Sequence, residues 1–132
     1  MRGYVCQLRN EDEARAMSQS VLTRLHKGGY VHRDIRLPNI LFIHGVTNYK
    51  YVLIDFEHTN VGGLVVSEWL KDWDDNTLTN KNKYTRQSDL YQFGKMLRNL
   101  NVVNSEAGKK FLDGLGNKRI HINNILGHEW IR

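Results

Sequence analysis

Two carboxylates and one carboxamide stand at spacings that could do chemistry. Asp34 and Asn39 share the stretch His32-Arg33-Asp34-Ile35-Arg36-Leu37-Pro38-Asn39, and Asp55 opens Asp55-Phe56-Glu57. An apolar run over residues 40–43 follows Asn39, and a second over 51–54 leads into Asp55. If the two runs pair as the arms of a hairpin, Asn39 and Asp55 converge with Asp34 beside them. A base next to hard oxygen ligands is what holding a magnesium-bound phosphate near an attacking hydroxyl requires, because phosphoryl transfer asks for positioning and for positive charge on the phosphate oxygens. Asp and Asn are also common turn residues. Their order and the apolar runs that flank them argue against a coincidence of turns.

At these residues the chain resembles the protein kinase family, whose catalytic loop reads H-R-D-x-x-x-x-N and whose metal segment reads D-F-G. The resemblance implies that Asp34 accepts the proton of the attacking hydroxyl, that Asn39 holds a magnesium ion, and that Asp55 bridges magnesium to the ATP phosphates. Arg36 stands where Ser/Thr kinases usually carry a lysine that reaches the transferred phosphate; arginine keeps the charge but clamps with a planar fork. Ser88-Asp89-Leu90-Tyr91-Gln92-Phe93-Gly94 is similar to the start of the family's central buried helix, and by that similarity Asp89 braces the catalytic loop. The segment from Asn117 to Ile131 is similar to the end of the kinase C-lobe. The resemblance spans about residues 10–131. It implies an ATP- and Mg²⁺-dependent enzyme phosphorylating protein Ser/Thr hydroxyls, with His32 and Arg33 as structural support.

The departures from that pattern shape the expectation. Glu57 replaces the glycine of D-F-G, which removes a residue free to take positive φ and adds a carboxylate. No A-P-E motif precedes Ser88, so Arg119 lacks the glutamate it pairs with in the family. Residues 1–31 contain no Gly-rich phosphate loop, V-A-I-K lysine or helix glutamate. The expected fold is therefore mainly α with a small β-hairpin, a kinase-like C-terminal lobe (α+β) with the N-lobe absent, over residues 1–132 as one domain. Weak or absent activity of the isolated chain is expected, with a protein substrate or a missing N-lobe as partner. Two alternatives stand beside this reading. Ile54-Asp55-Phe56-Glu57 is similar to the metal segment of small-molecule phosphotransferases of the choline and aminoglycoside type, although Arg33 is unusual for them. A non-catalytic pseudokinase or scaffold is favoured by Glu57 and disfavoured by the intact Asp34, Asn39 and Asp55.

The elements that must position these residues are legible from periodicity. Asn10 and Glu13 read as a capping box, and Ala14, Met17, Val21 and Leu25 recur at helical spacing until Gly28-Gly29, predicting a helix over about 11–27. Tyr30 and Val31 read as a short strand. Residues 40–43 and 51–54 read as strands buried on both faces, joined by a polar turn. From 58 to 87 periodicity is lost, predicting a long mobile loop in which Asp72, Asp74 or Asp75, or a phosphate on Thr77, Thr79 or Thr85, pairs with Arg33. Leu90, Phe93, Leu97 and Leu100 predict a core helix over about 88–100 capped by Ser88 and weakened slightly by Gly94. Ala107, Phe111, Leu112 and Leu115 predict a short helix, and Ile122, Ile125, Leu126 and Trp130 a last one.

Composition narrows the class. The 132 residues are 40% hydrophobic and 25% charged, which suits one soluble globular domain. A single cysteine, Cys6, excludes an internal disulfide and argues against structural zinc. Residues 1–4 lack the apolar core of a signal peptide, and no run approaches the ~20 apolar residues of a membrane span, so an intracellular protein is expected. The net charge of +5 is scattered without interleaved aromatics, so nucleic acid is a disfavoured partner. His121 and His128 have no metal-ligand spacing.

Overall fold

The computed structural model describes residues 2–5, 7–28, 31–44, 51–54, 64–65, 70, 73–79 and 82–132. The chain is mainly helical around a small antiparallel sheet. In order it runs β1 (Arg2–Val5), α1 (Glu11–Lys27), a 3-10 turn (Leu37–Asn39), β2 (Ile40–His44), β3 (Tyr51–Leu53), β4 (Leu64–Val65), β5 (Lys83–Tyr84), α2 (Arg86–Leu100), α3 (Glu106–Gly116) and a second 3-10 turn (Ile125–Gly127).

The hairpin expected from the two apolar runs forms between β2 and β3, with Leu41 opposite Val52. β1 adds a third strand on the other side of β2, with Tyr4 opposite Phe42. The strands are not buried on both faces: Ile40, Tyr51 and Leu53 enter the core, while Leu41, Phe42, Ile43 and Val52 are half-buried. One-sided burial is what a sheet edge carrying helices on a single face produces. Val31 is a single bridge residue rather than a strand, and Tyr30 lies outside the described residues.

Helix α1 runs over the expected span. Asn10 Oδ1 accepts from the Glu13 backbone N–H at 2.9 Å, while the Glu13 carboxylate turns to Arg9 instead of completing the box. The C-cap Gly28 is extended rather than left-handed, with φ −74° and ψ 146°. Arg86 Nη2 donates to the carbonyls of Leu25 and His26 at 3.1 and 2.8 Å, satisfying two of the acceptors that every helix end leaves open.

The core joins Met17, Val21 and Leu22 of α1, Leu90, Phe93 and Leu97 of α2, Phe111 and Leu115 of α3, and Ile40 of β2, all essentially inaccessible to solvent. Burial of each such side chain contributes about 1.5–3 kcal/mol. Gly94 is more than a tolerated weakness in α2. A Cβ there would lie 2.7 Å from the Leu115 Cβ, so its absence is what lets α2 and α3 close on each other. Thr85, not Ser88, is the N-cap of α2, and Ser88 Oγ reaches back to the Thr85 N–H at 3.0 Å. The last helix does not form. Residues 121–131 are turns and a 3-10 segment, whose Ile125, Trp130 and Ile131 still reach the core, so apolar spacing there serves packing without helical hydrogen bonds.

The segment from 58 to 87 also differs from expectation where it is described. β4 pairs with β5, and Val31, Trp73, Leu78 and Tyr84 form a second small core, with Trp73 stacked on Tyr84 at 4.7 Å. No helix among the described residues is long and apolar enough to cross a membrane.

Candidate functional site

The loop from His32 to Asn39 is held by one acidic side chain of α2. Asp89 accepts the backbone N–H of His32 at 2.7 Å and of Arg33 at 3.1 Å through its two carboxylate oxygens, and Tyr84 donates its hydroxyl at 2.6 Å. Asp89 is 3% exposed and Tyr84 fully buried, so these bonds form without competition from water. Burial pushes the Asp89 carboxyl above its ordinary value, against the pull of the tyrosine and the two amides. Burial and the neighbouring carboxylate together push the Tyr84 hydroxyl well up. Tyr84 falls outside any apolar period, so nothing in the sequence marks it as Asp89's partner.

The fixed amides permit a strained backbone. Arg33 has φ 77°, a left-handed conformation that costs a non-glycine residue about 1–3 kcal/mol and persists only where surroundings hold it. Its guanidinium lies over the Trp73 ring, 5.6 Å from the centroid, and the Trp73 indole N–H donates to the Arg33 carbonyl at 3.1 Å. Of the residues expected to pair with Arg33, Asp72 lies outside the described residues, and Asp74, Thr77 and Thr79 have other partners. Asp74 engages Lys95 at 3.1 Å and Tyr91 at 2.9 Å. Partial burial raises the Asp74 carboxyl, but the Asn76 amide, Lys95 and Tyr91 outweigh it and hold it below its ordinary range. Thr77 is fully buried and donates to Gln92 Oε1 at 2.6 Å, which closes it to a kinase, and Thr79 donates to the Lys83 carbonyl.

His32 is a packed residue. Its Nδ1 accepts the Asp34 N–H at 3.1 Å and its Nε2 lies 2.8 Å from the Ile54 carbonyl, an arrangement that selects the tautomer with the proton on Nε2. The ring thereby ties the loop to the end of β3. A second tie runs from the Ile54 N–H to the Asn39 carbonyl at 2.7 Å. Asp55, the next residue in sequence, lies outside the described residues with Phe56 and Glu57.

Asp34 and Asn39 meet. Asn39 Nδ2 donates to the Asp34 carbonyl at 2.8 Å and to Asp34 Oδ2 at 3.1 Å, and Arg36 Nε forms an ion pair with Asp34 Oδ1 at 3.1 Å. With its nitrogen committed, the buried Asn39 amide keeps Oδ1 as its remaining group, a hard oxygen of the kind Mg²⁺ takes. Asp34 keeps 13% of its side chain exposed and Arg36 42%, so both are reachable. A carboxylate oriented by an amide and a guanidinium can accept a proton from a hydroxyl brought against it. Among the described residues no group of three or more His, Cys, Asp and Glu side chains could hold a metal ion. Arg119 is exposed and makes no ion pair among the described residues.

No protein-family model matches this chain, and no curated protein matches it.

Proposed function

We propose that the chain is a kinase-like C-terminal lobe belonging to an enzyme that transfers the terminal phosphoryl group of ATP to protein Ser/Thr hydroxyls. The observation that supports this reading above all is the contact of Asp34 with Asn39 on a loop braced by a buried carboxylate and tied to the strand that leads to Asp55. In this reading Asp34 Oδ takes the proton of the attacking hydroxyl as its oxygen bonds to the terminal phosphorus of ATP, while the bond from that phosphorus to the bridging oxygen breaks and ADP leaves. Arg36, already beside Asp34, swings its fork toward the transferred phosphate, and Asn39 Oδ1 with Asp55 would hold the metal. Magnesium-bound ATP would supply the phosphoryl group and the charge on its oxygens. Asp89 and Tyr84 act through the backbone, keeping Asp34 at one position.

Residues 1–31 carry no phosphate-binding motif, so this stretch of chain is expected to bind nucleotide weakly and to show little or no turnover alone. Calorimetric titration of Mg·ATP into the wild-type chain and Asp55→Ala tests the reading. Weak binding lost in Asp55→Ala supports it. Binding equal in both, or transfer that survives Asp34→Ala, rules it out. A non-catalytic scaffold is the second reading, favoured by Glu57 in place of glycine, and it gives no nucleotide binding in either protein.

A further inference from the structure

Beside the loop, on the side of Arg36, a cleft of about 220 Å³ opens between residues 35–37 and the outer half of α2. Leu37, Met96 and Leu100 give it apolar walls. Arg36 and Lys95 give it two cationic heads, and Asn99 an exposed amide. Among the described residues no carboxylate lines it. Asp34 and Asp74 stand behind the two cations, orienting Arg36 and Lys95 at 3.1 Å each. A hollow of this kind takes a short apolar stem ending in an anion, which a glutamate side chain provides.

We infer that this cleft reads an acidic residue flanking the acceptor hydroxyl of a protein substrate. The inference rests on the function proposed above, because Arg36 is shared: its Nε pairs with the proposed base while its side chain forms one wall of the cleft. An acidic side chain seated here therefore lies one residue's reach from Asp34. Charge complementarity supplies the selectivity, since a lysine or arginine in the same place would meet two like charges at close range.

The test is peptide binding to the full chain without nucleotide, read by fluorescence anisotropy. The probes are three labelled peptides with one serine flanked by glutamates, alanines or lysines. The glutamate peptide is expected to bind about ten-fold tighter than the lysine peptide, and Asn99→Glu, an exposed position that leaves the core intact, to shrink the ratio to about two-fold. Lys109→Glu makes a larger charge change, two units against the one of Asn99→Glu, on the exposed face of α3 and is expected to leave the ratio unchanged. Equal binding of the peptides by the wild-type chain, a ratio that stays at about ten-fold in Asn99→Glu, or an equal loss in Lys109→Glu overturns the inference. Because no nucleotide is present, Asp55-dependent Mg·ATP binding alongside such a failure leaves the proposed function standing.

Discussion

Asp89 has no solvent to fall back on: it serves three donors from a position 3% exposed. Asp89→Ala strands two backbone amides and a phenol, and the expected loss is about 3–5 kcal/mol of unfolding free energy in a urea titration. Tyr84→Phe removes one hydrogen bond to a charged acceptor and is expected to cost about 1.5–3 kcal/mol, with the loop still held by the two amides. Equal stability of Tyr84→Phe and wild type would show that the tyrosine does not brace the acid. At this level the sequence was informative about Asp34, Asn39 and Asp89, whose types and order anticipated the Asp34–Asn39 contact and the bracing of their loop. It was silent on Tyr84 and Trp73, because a single long-range contact leaves no periodic trace. Thr77 shows the opposite failure: a threonine in a polar stretch reads as an exposed acceptor, yet its hydroxyl is spent inside the fold on Gln92.

Helices α1 and α2 were legible because amphipathic repetition is strong over four turns: Met17, Val21 and Leu25 on one, Leu90, Phe93 and Leu97 on the other, are all buried. β1 was not, since four residues pairing through backbone amides need no particular side chains. The expected final helix failed for a related reason: Ile125 and Trp130 satisfy the spacing rule, but Phe111, 5.1 Å from Trp130, draws them inward as turns. The contact between α2 and α3 carries its own prediction. Gly94→Ala gains helix propensity of about 1 kcal/mol but forces a methyl against Leu115, and overpacking of about 1–3 kcal/mol is expected to win. Leu115→Gly in the same protein removes the Cβ that the new methyl meets, giving a double mutant more stable than the sum of its parts, as measured by a double-mutant cycle.

Two distant parts of the chain close on Glu11. Its carboxylate accepts from the Ser105 hydroxyl, the amides of Asn104 and Ser105 at 2.6 and 2.8 Å, and the Trp130 indole at 2.9 Å. Desolvation pushes this carboxyl up, but those donors outweigh it and hold it at about 2, below its ordinary 4.5. A depressed carboxyl stabilises the fold fully above its unfolded value, so this contribution is lost as pH falls from about 4.5 toward 2. Glu11→Gln is expected to lower stability at pH 7 by about 1 kcal/mol, solvent screening the remainder, and to flatten the acid limb of a melting-temperature profile. An acid limb identical in both proteins would contradict this. A different economy governs the face with the cleft. Under the proposed function, the helix that anchors the base at its first turn offers the wall for peptide choice at its last, about 15 Å further along one rigid rod. Selection for a new sequence preference therefore has little room to tilt that rod, and its freedom lies in swapping exposed side chains such as Asn99 in place.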